Sequence, residues 1–181
     1  RDRLTVVQAE SGAGKSSLLQ AGVSPQLIRA GHLPIKLRPY NISPSSKLKQ
    51  AFLPDLSQTP QLRGTSLREF LHQVNAVLGQ SSSLYVLLDQ FEEVFTLIPD
   101  DSERTAFVDD LADCLEDDTL NVRWLLALRS EFFGDLANFR PRIRNPFNND
   151  YRLNRLTLAE AKSVITEPAI HQGISFESAL V

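Results

Sequence analysis

A chain of 181 residues, 42% hydrophobic and 23% charged, has the composition of a soluble globular domain, and it suits one buried core plus the start of a second at about 150 residues per domain. Its net charge of −3 excludes a general pull toward nucleic acid or acidic membranes, and its single cysteine excludes an intrachain disulfide or a cysteine metal site. No apolar run approaches the ~18 residues that span a bilayer and no signal-peptide pattern opens the chain, so a soluble, cytoplasmic domain is expected; the lack of methionine, the opening at Arg1 and the end at Val181 within a helical pattern read as a piece of a longer protein.

In chain order, the β-branched run Leu4–Gln8 predicts a strand that ends at a glycine-containing loop, and Ser16–Gly22 has helical apolar spacing. Leu33–Arg38 predicts a second strand. Pro39–Thr65 is rich in Pro, Ser and Gln and reads as loop, with one short helix over Leu48–Leu56. Ser66–Gly79 predicts a helix with an apolar face of Leu67, Phe70, Leu71, Val74, Val77 and Leu78, a Ser66/Glu69 capping box and a terminal glycine.

Leu84–Leu88 is almost continuously apolar, as a parallel strand covered on both faces must be, and delivers Asp89. A helix beginning at Ser102 buries Phe107, Val108, Leu111, Cys114 and Leu115 and turns Asp109, Asp110, Asp113, Glu116 and Asp117 to water. Val122–Leu128 predicts another strand, ending at Arg129. Tyr151–Leu153 is a short fifth strand, after which Thr157 and Glu160 cap a last helix. Strands alternating with long helical connections predict an α/β fold, a parallel central sheet with helices on both faces, in which ligands sit at the carboxyl ends of the strands.

Ala9-Glu10-Ser11-Gly12-Ala13-Gly14-Lys15-Ser16 fits the Walker A pattern except for alanine at its first glycine position. The chemistry explains the spacing. Small residues let consecutive backbone N–H groups curl round phosphates, the next helix aims its positive end at them, Lys15 reaches the β- and γ-phosphates, and the Ser16 hydroxyl ligates magnesium. Ser17 follows within reach of the same phosphates. The predicted cofactors are ATP or ADP with Mg2+, and the lack of a guanine-reading Asn/Thr-Lys-x-Asp pattern favours adenine.

An apolar strand that delivers Asp89 is a Walker B arrangement, with the carboxylate meeting the magnesium shell from the strand beside the phosphate loop. Hydrolysis also needs a group to orient and deprotonate water, and DQFEEVF offers Gln90, Glu92 and Glu93. Glu92 is the first choice as base and Glu93 the second. Arg129, at a strand end on the same edge, is placed to sense or stabilise the γ-phosphate. Surface acids and a surface salt bridge are the plain structural alternatives for these three residues.

The pieces AESGAGKSSLLQAG followed by Pro25, LRP at Leu37–Pro39, LLDQFEEVFTL at Leu87–Leu97, LLALRSEFF at Leu125–Phe133, YRLNRLTLAEA, and EPA at Glu167–Ala169 resemble the STAND branch of P-loop ATPases, especially its bacterial novel STAND (nSTAND1) group. The resemblance implies an ASCE/AAA+-like three-layer αβα sandwich spanning 1–156, with 157–181 opening a further helical domain. It also implies an ATP-driven switch between a closed monomer and an open oligomer, self-associating through this domain, with sensor and effector domains in the same chain. Defence or cell-death signalling is the context it suggests. In the related NACHT group the acids likewise lie beyond a non-acidic residue after the metal ligand, which supports Glu92 or Glu93 over Gln90.

Weaker features remain. Arg140, Arg142 and Arg144 form a basic loop that reads as solvated, with contact to nucleic acid or to a neighbouring subunit's nucleotide as the alternatives. Nucleic acid is not expected as a partner of this domain, nor is a membrane. His32, His72 and His171 share no ligand spacing, and Trp124 and the phenylalanines read as core. Two other functions compete: an AAA+-like remodelling or DNA-loading ATPase with a trans-acting arginine, and a module that holds nucleotide without turnover.

Overall fold

The strand runs alternate between two sides of a sheet because successive side chains in a strand point to opposite faces. In the computed structural model, which describes residues 2–40, 42–53 and 64–174, five strands form one sheet: β1 (Leu4–Ala9), β2 (Leu33–Leu37), β3 (Leu84–Leu88), β4 (Val122–Arg129) and β5 (Asp150–Arg152). Their order is β2-β3-β4-β1-β5, all pairs parallel. Val6, Leu84, Val86, Leu88, Val122, Trp124, Leu126 and Leu128 face one side; Val7, Leu87 and Ala127 face the other.

The first side carries the main core. Leu48 of α3 (Pro44–Phe52), Leu67, Phe70 and Leu71 of α4 (Leu67–Leu78), and Phe107, Val108, Leu111, Ala112 and Cys114 of α6 (Asp101–Glu116) are all buried there. Burial pushes the Cys114 thiol up to about 12, so it is an inert core group. On the second side a helical run made of α1 (Lys15–Ser17), a π-helical stretch (Leu18–Val23) and α2 (Ser24–Arg29) lays Leu19 and Val23 over the sheet. Helices on both faces of a parallel sheet make the expected three-layer sandwich.

Several boundaries differ from expectation. The first helix passes through Gly22 and Pro25 to Arg29. Pro25 lacks an N–H for the ladder, and the π turn re-registers the ladder just before it, with Ser24 Oγ donating to the Leu19 carbonyl at 2.7 Å. Helix α3 begins at Pro44, earlier than the apolar pattern, and the rest of the expected Leu48–Leu56 helix lies outside the described residues. Val77 is 89% exposed, at the far edge of the α4 apolar stripe. Two short elements had no sequence signal: α5 (Glu93–Thr96) and 3-10 turns over Ser130–Phe139.

The capping boxes at Ser66/Glu69 and Thr157/Glu160 form. Helix α7 (Leu158–His171) buries none of its side chains; the last residues of the expected terminal segment, 175–181, lie outside the described ones. In the basic loop, Arg142 bonds Asp109 and Asp113, each at 2.7 Å, and Arg140 lies over the Phe147 ring at 5.3 Å. No helix among the described residues is long and apolar enough to cross a membrane.

Candidate functional site

The carboxyl edge of β1 runs into the Ala9–Ser16 loop. Gly12 and Gly14 adopt φ of +79° and +91°, a region that side-chain-bearing residues rarely enter. An added Cβ at either would meet no atom within 4 Å, so backbone conformation alone demands glycine there. Gly14 caps α1, and Leu18 N–H closes the first turn on the Gly14 carbonyl at 2.8 Å. Lys15 is buried, its Nζ donating to the carbonyls of Ala9 at 3.1 Å and Glu10 at 3.2 Å. Burial holds the Lys15 ammonium below the usual lysine range, opposed by the charges of Glu92 and Asp89. A buried cation beside open space is a site for an anion.

That space is a cavity of about 460 Å3 lined by Ser11, Gly12, Gly14, Lys15, Ser16, Ser17, Gln90, Glu92 and Arg129. Of the other loop residues, Ala9 is buried at the strand end, while Glu10 turns outward to Arg155, Nε to Oε2 at 3.0 Å. An apolar groove of about 390 Å3 between β2, α3 and α4, lined by Leu33, Phe52, Phe70 and Val74 among others, has no titratable lining group and so offers no chemistry.

The strand order corrects one expectation. Asp89 does not come from the strand beside the phosphate loop: β4 lies between β3 and β1, so about 10 Å, two strand spacings, separates the two backbones. The neighbour of β1 is β4, and Arg129 pairs in register with Ala9. Chain order does not fix strand order, because crossovers of this length can span one strand or two.

After Asp89 the chain turns sharply. Gln90 takes φ +54°, rare for a non-glycine residue, and its N–H donates to Asp89 Oδ1 at 3.0 Å. The turn sends Phe91 into the main core and Glu92 to the cavity, where Glu92 Oε2 accepts from the Arg129 backbone N–H at 3.2 Å. Glu93, only 7% exposed, lines a different surface. Its carboxylate accepts from Arg38 Nε at 2.8 and 3.0 Å, from Arg38 Nη2, and from Tyr40 N–H at 3.0 Å. The two glutamates therefore part: Glu92 faces the cavity and Glu93 ties α5 to the end of β2. Arg129 reaches the cavity with Nη2 on Glu131 at 2.9 Å and a buried Nε that has no partner among the described residues.

Three side chains near the site had no assigned role in the sequence reading: Lys36, Arg38 and Arg155. A lysine inside the apolar alternation of LPIKLR was the one available signal. Its Nζ lies 3.7 Å from Asp89 Oδ2 and donates to Gln20 Oε1 at 3.3 Å. Elsewhere, His72 pairs with Asp117 at 2.8 Å and His32 stacks on Tyr85, and no group of three His, Cys, Asp or Glu able to hold a metal occurs among the described residues.

The family described as Novel STAND NTPase 1 matches residues 1–181. No curated protein matches the chain. Among solved structures, the ORC2 protein of Aeropyrum pernix, solved as ADPNP–ADP complexes, is similar with a TM-score of 0.66 at 14% identity, over 92% of this chain and 45% of that one. PCH-2 of C. elegans gives 0.53 at 17% identity over 98% and 42%, and the HORMA:CdnC:Trip13 complex of E. coli MS115-1 gives 0.54 at 13% over 99% and 57%. These are likenesses of fold, and the chain spans about half the length of the solved chains it matches.

Proposed function

The chain belongs to the novel STAND NTPase 1 family and has a P-loop NTPase fold, and from that premise we propose that the cavity binds ATP with Mg2+ and turns it over as a switch within a longer signalling protein. The observation that carries the reading is the buried Lys15 facing one cavity with Glu92 and Arg129, at the end of a loop whose two left-handed glycines expose its backbone.

The donor set suits magnesium, which takes hard oxygens from one or two protein groups and the rest from phosphates and water. Asp89 is buried with Oδ2 facing Lys36 alone among the described residues, and Ser16 lines the cavity; these two would hold the ion. Bound there, it would neutralise charge on the β- and γ-phosphates. Lys15 exchanges the Ala9 and Glu10 carbonyls for phosphate oxygens, gaining a charge-assisted contact where it now has neutral ones. The N–H groups of Ser11 to Ser17 line the phosphates.

Glu92 then accepts a proton from the attacking water, and the Arg129 N–H holds its carboxylate in place. Arg129, beside Ala9, stabilises charge that develops on the transferred phosphoryl group. Glu93 is structural in this reading, since Arg38 and Tyr40 already occupy its carboxylate. Residues from 157 onward belong to a helical domain that closes over the nucleotide. Oligomerisation through this domain, sensor and effector segments, and a role in defence or cell death follow from the family resemblance.

Nucleotide binding and turnover in the full-length protein test this. Lys15→Ala should weaken ATP binding by about a hundredfold or more. Glu92→Gln should leave binding intact and slow hydrolysis about 10²- to 10³-fold. Unchanged ATP affinity in Lys15→Ala would sink the reading.

A further inference from the structure

Two cations at the end of β2 each face an acid of the Asp89–Glu93 segment, and they do so in different ways. Arg38 grips Glu93 through Nε and Nη2 within hydrogen-bonding distance. Lys36 faces Asp89 Oδ2 at 3.7 Å, too long for a hydrogen bond, while its one hydrogen bond among the described residues goes to Gln20. The Asp89 side chain is 8% exposed and that of Lys36 is 34% exposed.

A carboxylate this buried needs a counter-charge. Its Oδ1 has the Gln90 N–H; Oδ2 has Lys36 alone among the described residues. The geometry fixes where Lys36 comes from. Leu37 pairs with Leu88, and Asp89 N–H donates to the Leu37 carbonyl at 2.8 Å, which brings β2 alongside the acid. Gln20 stands four residues beyond Ser16 on the run that follows the loop. Lys36 thus links Gln20 to Asp89, one of the two groups that would hold magnesium in the proposed function, on which this inference rests.

We propose that Lys36 is an exchangeable counter-ion of Asp89, displaced when Mg2+ enters with the nucleotide, and that it sets how strongly nucleotide binding depends on the metal. Without metal, the ammonium neutralises Asp89 and spares the phosphates a nearby negative charge. With metal, Asp89 would serve the ion instead, and the Lys36 ammonium would keep only its bond to Gln20. The loose contact is what permits the exchange; a grip like that of Arg38 on Glu93 would resist it.

The test is the ratio of nucleotide Kd measured in chelator to that measured in Mg2+, using ADP and a non-hydrolysable ATP analogue on the full-length protein. Lys36→Gln should raise this ratio by about tenfold, because binding weakens without metal, where Asp89 stands uncompensated, and tightens with it, where no cation competes. Lys36→Arg keeps the charge and can grip Asp89 as Arg38 grips Glu93, so it should hold the ratio at or below the parent value. In an Asp89→Asn background, Lys36→Gln should leave the ratio unaltered. Circular dichroism confirms that the variants fold, as the partly exposed Lys36 leads one to expect. An unchanged or lowered ratio in Lys36→Gln, or the same rise in the Asp89→Asn background, overturns the exchange and leaves the nucleotide site standing. A parent protein that binds neither nucleotide in either condition overturns the site together with it.

Discussion

The two faces of the sheet are built differently. One carries three helices and a continuous core in which Phe91, Phe107 and Phe139 meet with ring centroids 5.9 to 6.0 Å apart. The other carries a single helical run over a small cluster of Val7, Leu19, Leu87 and Ala127. Asp89 follows the odd-numbered β3 positions of the thin face, and Lys36, itself bonded to Gln20, meets it there, while Phe91 two residues on is buried in the thick face. On the proposed reading the division separates anchoring from exchange: Lys36 and Asp89 lie on the thinly covered face, next to a segment anchored by the buried Phe91.

The same substitution on each face tests this most directly. Leu71→Ala, in the thick face, should cost about 3–5 kcal/mol in denaturant unfolding, and Leu19→Ala, in the thin face, about 2–3 kcal/mol, since a thinly covered site collapses more easily around a cavity. Only Leu19→Ala should also weaken nucleotide binding, because it supports the helix behind Lys15. Equal costs, or loss of binding in both, would break the comparison.

A smaller effect should separate the paired glutamates. Glu93→Gln removes charge-assisted bonds to Arg38 and Tyr40 and should lower stability by about 1–2 kcal/mol, read by thermal unfolding, with ATP affinity kept. Smallest of all is the effect at the end of α6. The Thr119 hydroxyl, then His72, bond Asp117 and hold its carboxyl well below the usual aspartate range. A depressed folded-state pKa contributes stability that is complete above the ordinary value of 3.8 and is lost as pH falls toward the folded value. Thr119→Val should therefore lower stability near neutrality by under about 1 kcal/mol and flatten its decline in acid, measured as Tm against pH.

Much of this could be read from the chain. Strand runs, capping boxes and the glycine loop are local patterns, because backbone conformation, side-chain alternation and helix termini depend on neighbours within a few residues. The start of α3 was hidden because Pro44, Ser45 and Ser46 have the composition of a loop, yet proline at the first turn and serine before it suit a helix start. The continuation through Pro25 was hidden because a π turn has no sequence signature of its own.

By itself, then, the sequence determined the alternation of strands and helices, the glycine loop that leads into Lys15 and Ser16, and a short list of acids and cations around it. Only the tertiary structure decided that β4 separates β3 from β1, that Arg129 registers with Ala9, that Glu92 faces the cavity while Glu93 is held by Arg38, and that Lys36 is the counter-charge of Asp89. The reason is that each of these depends on which strands become neighbours. Strand neighbours are set by how long crossovers bury apolar faces across the whole sheet, a sum over distant contacts that no short window of residues contains.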